Sequence, residues 1–482
     1  MRPWLVALLL GAVSVLGFAP FELFPLPILA LAILFGQCRR AATPARAAAL
    51  GYGYGLGFFL AGVSWVYVSL HDVGGMVAPV AAIATLLFCG YLALFPALAA
   101  YLGRRLAGAD FWQDALLFAG AWTLAEGLRG GLLTGFPWLA LGYAQTPPSP
   151  LAGYAAVLGV YGIGFLAALV AAAFALDARR RATWVLLVAV IAGGALLRGM
   201  DWTQPAGAPV KVSLLQGNVP QSLKWEPERL PLSIDTYVRL AQEQPAALTV
   251  LPETAIPLFF NELPRDILRE LTHHGDVLLG MAVRHREGGY VNGAVAITRE
   301  GVQTYAKRHL VPFGEYVPPG FAWFFDLVRI PMSDFSAGPA HQPPLDIAGQ
   351  KIAPNICYED LFGAEILDAL PAATLLVNLS NTAWFGDSLA QPQHLQIARM
   401  RALETGRTML RATNTGITAA ITPDGRVLGQ LPAFTSGALR VEAQGFTGFT
   451  PYARWGDRLA LMLAICACLP ALLAAYRRRR SR

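Results

Sequence analysis

The sequence predicts a polytopic membrane bundle of about eight α-helices joined to one α/β sandwich domain. Of its 482 residues, 55% are hydrophobic and only 14% are charged, and the mean hydropathy is +0.47. Such values are unusual for a soluble globular protein. Long apolar runs fill residues 1 to about 200 and recur near 457–476, whereas the stretch between them has a soluble character. We therefore expect a transmembrane bundle over 1–205, a soluble domain over 206–450, and a C-terminal transmembrane helix with a basic tail over 451–482.

Eight apolar segments are the candidate membrane helices. Several approach the roughly 20 residues that a helix needs to cross a bilayer, and the first two are shorter. The first segment is expected to be a retained helix rather than a signal peptide, because no A-x-A-like cleavage site follows it. The segments lie at about 4–19, 24–38, 47–70, 76–102, 113–128, 151–176, 183–199 and 457–476.

The distribution of arginine predicts the orientation of these helices. If the N-terminus is cytoplasmic and the segments alternate, the cytoplasmic side receives Arg39, Arg40, Arg46, Arg104, Arg105, Arg179, Arg180, Arg181, Arg477, Arg478, Arg479, Arg480 and Arg482. The opposite side receives the whole stretch of about 200–455. Because basic residues concentrate in cytoplasmic loops, both termini are expected in the cytoplasm and the soluble domain outside it. This topology explains the net charge of +6 better than nucleic-acid binding does.

Short apolar runs alternate with helix-like stretches in the soluble domain, which indicates an α/β sandwich. Strands are expected at 210–215, 248–251, 276–283, 293–298, 352–356, 374–379, 409–412 and 417–422. Helices are expected at about 227–243, 263–273, 359–370 and 391–406.

Cys357 stands where an apolar run gives way to an acidic, helix-compatible segment, and it is the one cysteine of the soluble domain. A lone cysteine in an arbitrary domain is usually a small buried hydrophobic residue. A turn between a strand and a helix N-terminus, however, favours a reactive thiolate. Cys357 is therefore a candidate nucleophile, which needs a base and an oxyanion stabiliser.

Two acids and a lysine are candidates for these partners. Glu253 lies just past the end of the expected strand 248–251, where α/β enzymes place reactive groups, and is suited to take the thiol proton. Lys307 is suited to hold the thiolate and to stabilise a tetrahedral oxyanion, while Glu315 would keep Lys307 charged and oriented. Taken singly, each would more often belong to a surface ion pair. Their joint occurrence with one cysteine points to catalysis.

The order of Glu, Lys and Cys resembles that of the nitrilase, or carbon–nitrogen hydrolase, superfamily. Further motifs resemble its membrane-bound branch, the apolipoprotein N-acyltransferases, and they lie at 216–221 with 224–225, 252–254, 307–316, 357–359 and 381–387. The resemblance covers essentially the whole chain and implies a nitrilase-like fold with α-β-β-α layers. It also implies that Glu253 is the base, Lys307 the transition-state stabiliser and Cys357 the nucleophile. By the same resemblance Glu315 and Glu359 support this triad, and the substrate site is lined by Trp225, Tyr358, Trp384 and Phe385.

The resemblance implies a ping-pong reaction. Cys357 would take an acyl chain from a phospholipid, usually from the sn-1 position of phosphatidylethanolamine, and the free amine of a diacylated apolipoprotein would accept it. The implied location is the bacterial inner membrane, with the catalytic domain in the periplasm. No cofactor or metal is expected, because the adjacent His273 and His274 have no matching ligands at useful spacing. The aromatic stretches 255–260 and 321–330 are expected to be loops that admit acyl chains.

Two rival functions and two membrane features also follow from the residues. A membrane-tethered amidase would use the same triad and give its acyl group to water, whereas a transporter or sensor would bind a ligand without turnover. The complete triad argues against a pure binder, and the few charged residues in the spans argue against transport.

Glu126 and Arg129 are expected to pair with each other rather than with a lipid headgroup. The alternating glycines of 51–57 are expected to serve close helix packing rather than nucleotide binding.

Overall fold

The computed structural model describes residues 2–108, 110–221, 227–284, 288–320 and 334–480. The chain divides into two compact units. The first, called here the helical unit, comprises Met1–Tyr67, Pro79–Met200 and Pro451–Arg482. The second, called here the α/β unit, comprises Val68–Ala78 and Asp201–Thr450.

The main helices described in the helical unit overlap the expected apolar segments, except for one short helix that precedes the last segment. They are α1 (Pro3–Ser14), α2 (Pro25–Arg40), α3 (Pro44–Val63), α4 (Ala78–Leu106), α5 (Phe111–Gly131), α6 (Ala155–Asp177), α7 (Arg181–Arg198), α12 (Pro451–Trp455) and α13 (Arg458–Arg480). Among the described residues, four helices are long and apolar enough to cross a membrane: α4, α6 with the turn before it, α7 and α13. A fifth span results if α3 and the bent segment after it are counted as one.

The glycines of α3 allow close helix packing, as predicted. A Cβ atom on Gly57 would lie 2.0 Å from the carbonyl oxygen of Leu8 on α1. On the other side of α3, a Cβ atom on Gly51 would lie 2.5 Å from the carbonyl oxygen of Pro96 on α4. Only glycine permits backbones to approach this closely, which is a common device between membrane helices.

The expected pairing of Glu126 and Arg129 is confirmed, and both side chains also hold the chain that follows α5. Arg129 Nη2 lies 4.0 Å from Glu126 Oε1. Arg129 Nη1 donates to the carbonyl oxygens of Phe136 and Trp138 at 2.5 and 2.6 Å, and Glu126 accepts from the amide of Leu141 at 2.9 Å. The pair therefore satisfies backbone groups that lack regular secondary-structure partners.

The α/β unit contains two six-stranded sheets in the described part of the chain. Its strands are β1 (Thr203–Gln216), β2 (Leu248–Leu251), β3 (Asp276–Arg284), β4 (Tyr290–Thr298), β5 (Gly301–Ala306), β6 (Leu345–Ile347), β7 (Gln350–Ile356), β8 (Leu375–Ser380), β9 (Thr408–Thr413), β10 (Ala419–Ile421), β11 (Val427–Gln430) and β12 (Gly437–Gly448). The sheet orders are β12-β1-β2-β3-β4-β5 and β11-β10-β9-β8-β7-β6. Every expected strand is present, whereas β5, β6, β11 and β12 lie outside the expected ranges. β5 and β12 are exposed or half-buried over most of their length.

The four predicted layers, α-β-β-α, are confirmed by the way side chains alternate along the strands. Leu214 lies in the cluster between the two sheets, while its neighbour Leu215 packs with the helices α8 (Leu230–Glu243) and α9 (Arg265–Leu271). In the second sheet, Val377 faces the same inner cluster and Leu376 packs with α11 (Ala390–Thr405). Alternation of this kind is what a sheet covered on both faces requires.

The helix expected at 359–370 is wrong as one continuous element. The chain forms a 3-10 helix at Cys357–Leu361, then α10 (Gly363–Ile366), then another 3-10 helix at Leu367–Ala369. The side chain of Glu359 turns back to accept the amide of Ile356 at 2.6 Å, which tightens the first turn. An acidic, helix-compatible sequence does not reveal this local bond.

Candidate active site

The three candidate catalytic residues each follow a strand of the α/β unit. Glu253 follows β2, Lys307 follows β5 and Cys357 follows β7 directly. Strand ends leave a side chain held by a rigid scaffold yet free of the sheet's own hydrogen bonds. The fold therefore presents the three side chains on fixed backbone.

Both carboxylate oxygens of Glu253 are fixed by hydrogen bonds. Oε1 accepts from Asn292 Nδ2 at 2.7 Å and from Lys307 Nζ at 3.5 Å. Oε2 accepts from the backbone amide of Asn381, which follows β8, at 2.8 Å. The residue is 7% exposed. A carboxylate held in this way is preorganised to accept a proton from a neighbouring group.

Gly280 on β3 lets the backbone of Glu253 lie close to the sheet. A Cβ atom at position 280 would stand 2.5 Å from the Cα atom of Glu253 and 2.8 Å from the carbonyl oxygen of Pro252. Real Cβ contacts essentially never approach backbone atoms this closely. Glycine at this position is therefore part of what places the carboxylate.

Lys307 is a buried cation held between two carboxylates. Its Nζ atom lies 2.8 Å from Glu315 Oε1 and 3.5 Å from Glu253 Oε1, and the side chain is 1% exposed. Burial alone would lower the pKa of Lys307, but attraction by Glu315, Glu253 and Cys357 outweighs it and raises the pKa. Lys307 is therefore charged at neutral pH. Glu315 is fixed in turn, because its Oε2 accepts from the amide of Val311 at 2.8 Å.

Asn292 on β4 is a site residue that the sequence analysis did not identify. Its Nδ2 donates to Glu253 Oε1 at 2.7 Å and to Glu315 Oε1 at 2.8 Å. Its backbone oxygen accepts from the amide of Lys307 at 2.7 Å. One residue thus bonds both carboxylates and the backbone of Lys307. The available signal was a single amide side chain within the otherwise apolar stretch of β4.

Cys357 lies in the electrostatic field of the same charges and is 8% exposed. Its backbone adopts a left-handed conformation with φ 53°, and its carbonyl oxygen accepts from Asn378 Nδ2 at 3.2 Å. Burial, followed by the negative charge of Glu253, raises the pKa of the thiol, and Lys307 only partly offsets this. Burial therefore opposes the effect of the helix N-terminus, which was expected to favour a thiolate at this position. The short 3-10 helix does not compensate for desolvation of a charged sulfur.

Glu359 joins the backbone around Cys357 to the backbone around Lys307. Its Oε2 accepts from the amide of Ile356, and its Oε1 accepts from the amides of Arg308 and His309 at 2.6 and 3.2 Å. The hydroxyl of Tyr305 donates to Oε1 at 3.0 Å. Burial raises the pKa of Glu359 to about 7, against the lowering effects of Lys307 and these amides. Its position is that of a brace rather than a reacting group.

The remaining expected site residues are placed as follows. Tyr358 is buried, and its ring centroid lies 5.8 Å from that of His309 and 5.2 Å from that of Phe362. Trp384 and Phe385 are half-buried in a 3-10 helix, Thr382–Phe385. Trp225 lies outside the described residues.

The two expected acyl-chain loops differ in what the structure describes. In the stretch 255–260, Ala255 and Ile256 are buried in the cluster with α8 and α9, so its first part packs on the core. The stretch 321–330 lies outside the described residues.

The family models and the curated relatives indicate one family. Residues 10–173 match the apolipoprotein N-acyltransferase N-terminal domain, and residues 211–451 match the carbon–nitrogen hydrolase domain. An apolipoprotein N-acyltransferase from Nitrosomonas europaea is 50% identical over 487 residues, which cover 99% of this chain and 98% of that protein. One from Ralstonia nicotianae is 47% identical over 494 residues, which cover 98% of this chain and 93% of that protein. Among solved structures, an amidase from Nesterenkonia sp. is 21% identical, with a TM-score of 0.37, over 50% of this chain and 92% of that one.

Proposed function

Because the chain belongs to the apolipoprotein N-acyltransferase family, we propose that it transfers a fatty acyl chain from a phospholipid to the N-terminal amine of diacylated apolipoproteins. The observation that carries the proposal is the buried cluster of Glu253, Lys307 and Glu315, whose charges act on Cys357. Such a cluster supplies a nucleophile, a base and a fixed positive charge in a water-poor site, which acyl transfer requires.

In the first half-reaction, Cys357 attacks the ester carbonyl carbon of the phospholipid. Because the thiol is neutral at rest, its proton moves to Glu253 as the sulfur–carbon bond forms. Lys307 stabilises the oxyanion of the tetrahedral intermediate, and Glu315 keeps the lysine in place. The ester carbon–oxygen bond then breaks, and Glu253 returns the proton to the departing oxygen. The products are a thioester on Cys357 and a lysophospholipid.

In the second half-reaction, the free amine of the diacylglyceryl-cysteine attacks the thioester carbon. Glu253 accepts a proton from the amine as the carbon–nitrogen bond forms. The carbon–sulfur bond then breaks and Glu253 returns the proton to the sulfur of Cys357. The amide product leaves, and the enzyme regains its neutral thiol and ionised carboxylate.

The substrate details of the proposal come from the family resemblance. The donor is phosphatidylethanolamine, which gives its sn-1 acyl chain, and the acceptor is a diacylated apolipoprotein. Trp225, Tyr358, Trp384 and Phe385 are the proposed substrate contacts.

The membrane arrangement is proposed from the sequence pattern. Eight spans would correspond to the eight apolar segments, with the domain limits at 1–205, 206–450 and 451–482. The arginine distribution supports cytoplasmic termini and a periplasmic catalytic domain. In a bacterium with two membranes, the proposed location is the inner membrane.

The proposal is tested by intact mass spectrometry of the purified protein after incubation with phosphatidylethanolamine. We expect a gain of one acyl chain that hydroxylamine removes, and no gain in Cys357→Ala. Addition of a diacylated lipopeptide should discharge the adduct to a triacylated product. Discharge to water alone would favour the tethered amidase. Absence of any adduct, with bound lipid demonstrated, would favour a sensor or transporter and refute the mechanism.

A further inference from the structure

The segment Val68–Ala78, called here the 68–78 arm, joins α3 to α4 in sequence but belongs to the α/β unit. It contains a π-helical turn at Ser69–Val73. The turn is closed internally, because His71 Nδ1 lies 2.7 Å from the carbonyl oxygen of Met76. Gly75 allows this closure with φ 70°, a conformation that favours glycine. The arm therefore has a defined local structure of its own.

The 68–78 arm contacts the loop 382–386, which begins one residue after Asn381. Ser69 Oγ donates to the carbonyl oxygen of Trp384 at 2.7 Å. Val68 packs against Gly386, because a Cβ atom at position 386 would lie 2.9 Å from Val68 Cγ1. One hydrogen bond and one van der Waals contact thus hold this loop from the side of the arm.

The same loop is held from the other side by α11. Gln391 Nε2 donates to the carbonyl oxygens of Thr382 and Gly386 at 3.0 and 3.1 Å. Its middle carbonyl, that of Trp384, is left for Ser69. Loss of the Ser69 hydroxyl would therefore remove a hydrogen bond from the centre of the loop while both its ends keep their bonds to Gln391.

The loop 382–386 also lies beside the reacting groups. The amide of Asn381 donates to Glu253 Oε2 at 2.8 Å, and Thr382 follows at once. The side chain of Asn381 is held independently, because Asn414 Nδ2 donates to its Oδ1 at 3.1 Å. Movement of the loop centre would therefore alter what surrounds the substrate more than it would alter Glu253.

We propose that the 68–78 arm positions the loop 382–386 for substrate binding, with Ser69 as the positioning residue. This inference rests on the proposed function, because it assigns the loop to the acyl-donor side of the same site. Ser69 does not touch the reacting atoms. Its removal is expected to weaken donor binding and to leave the chemistry at Cys357 largely intact. The loss of one neutral hydrogen bond corresponds to about a threefold to tenfold change in an equilibrium.

The experiment compares Ser69→Ala, Ser69→Thr and Thr236→Ala in the full-length protein. Thr236 is a matched control, since its hydroxyl also donates to a backbone carbonyl, that of Leu232 at 2.7 Å, on α8. Thioester formation on Cys357 is followed by intact mass against phosphatidylethanolamine concentration in mixed micelles. We expect the half-saturating donor concentration to rise about threefold to tenfold in Ser69→Ala. The maximal rate should stay within about twofold of the original protein. Ser69→Thr and Thr236→Ala should behave like the original protein.

Hydrogen exchange of the peptide that contains 382–386 supplies a readout independent of activity. Exchange in this peptide should be faster in Ser69→Ala than in Ser69→Thr. Unchanged exchange, an unchanged half-saturating concentration, or a fall in maximal rate alone would each overturn the role of the arm while leaving the acyltransferase proposal intact. If the original protein forms no thioester, the proposed function fails, and the inference fails with it.

Discussion

Replacement of Asn292 tests how the charged cluster is held together. Its Nδ2 makes two charge-assisted hydrogen bonds, at 2.7 Å to Glu253 and at 2.8 Å to Glu315. Its Oδ1 has no hydrogen-bond partner among the described residues, so the amide acts through Nδ2. Hydrogen bonds to charged groups contribute about 1.5–3 kcal/mol each. Asn292→Leu, which keeps the side-chain size, should therefore cost about 3–6 kcal/mol of stability.

The expected readouts of Asn292→Leu are a lower thermal transition and slower acylation. At roughly 2–4 °C per kcal/mol for a unit of this size, the transition of the purified protein should fall by about 10 °C. Both carboxylates still pair with Lys307, so the protein should still fold. Since the lysine and the base lose a shared anchor, thioester formation on Cys357 should slow by about a hundredfold.

Asn292→Asp tests the direction in which stability changes with pH, because it places a third carboxylate between Glu253 and Glu315. The crowded carboxyls would bind a proton more tightly in the folded than in the unfolded chain. Their pKa is thereby raised, so the added cost should be small near pH 5 and should grow as the pH rises to 8. The loss of stability in Asn292→Leu should stay nearly constant over the same pH range, because leucine does not titrate. This account would be refuted if Asn292→Leu had the same thermal transition temperature as the original protein. It would also be refuted if the loss of stability in Asn292→Asp did not depend on pH.

Three further predictions address the base, the brace and the close approach of strands. In Glu253→Gln, loss of the negative charge should lower the raised pKa of Cys357 and abolish acyl transfer. Iodoacetamide should therefore modify Cys357 about tenfold faster at pH 8, as measured by peptide mass spectrometry. Slower modification would contradict the assigned charge effect. Because burial raises the pKa of Glu359 to about 7, the folded chain holds its proton more tightly, and stability should fall as the pH rises from about 4.5 to 7. In thermal scans, Glu359→Gln should reduce this dependence of stability on pH. An unchanged dependence would assign it to another group. Gly280→Ala should lower the thermal transition and the acylation rate together, because its Cβ atom would meet backbone 2.5 Å away; a silent substitution would show that the strands separate without cost.

The positions of the catalytic candidates were predictable because strong local signals surround them. An apolar run ending at Glu253 or Cys357 indicates a strand end, and strand ends are where sandwich enzymes hold reactive groups. The strand before Lys307 was not predicted, since β5 lies at a sheet edge, its residues are exposed or half-buried, and Gln303 and Thr304 stand together and break the apolar pattern. Edge strands carry a weak hydrophobic pattern.

Other parts of the site depend on contacts between distant residues. Asn292 lies 39 positions from Glu253 and 23 from Glu315, and no sequence spacing reveals that one amide bonds both. The turn after Cys357 is shaped by the carboxylate of Glu359, whose partners include the amides of Arg308 and His309 some 50 residues away. The ionisation of the thiol likewise follows from burial, which only the folded chain defines.

The pairing of β1 with β12 has a consequence for how the protein is made. These are the first and last strands of the α/β unit, and they run antiparallel from Thr203 opposite Gly448 to Gln216 opposite Gly437. During synthesis, β1 emerges more than 200 residues before its outer partner, so one edge of the first sheet waits unpaired until the end of the unit has been made. The first sheet is therefore completed late in synthesis. A ribosome that stalls before residue 437 leaves a chain in which β1 has unpaired backbone N–H and C=O groups that can pair with another chain.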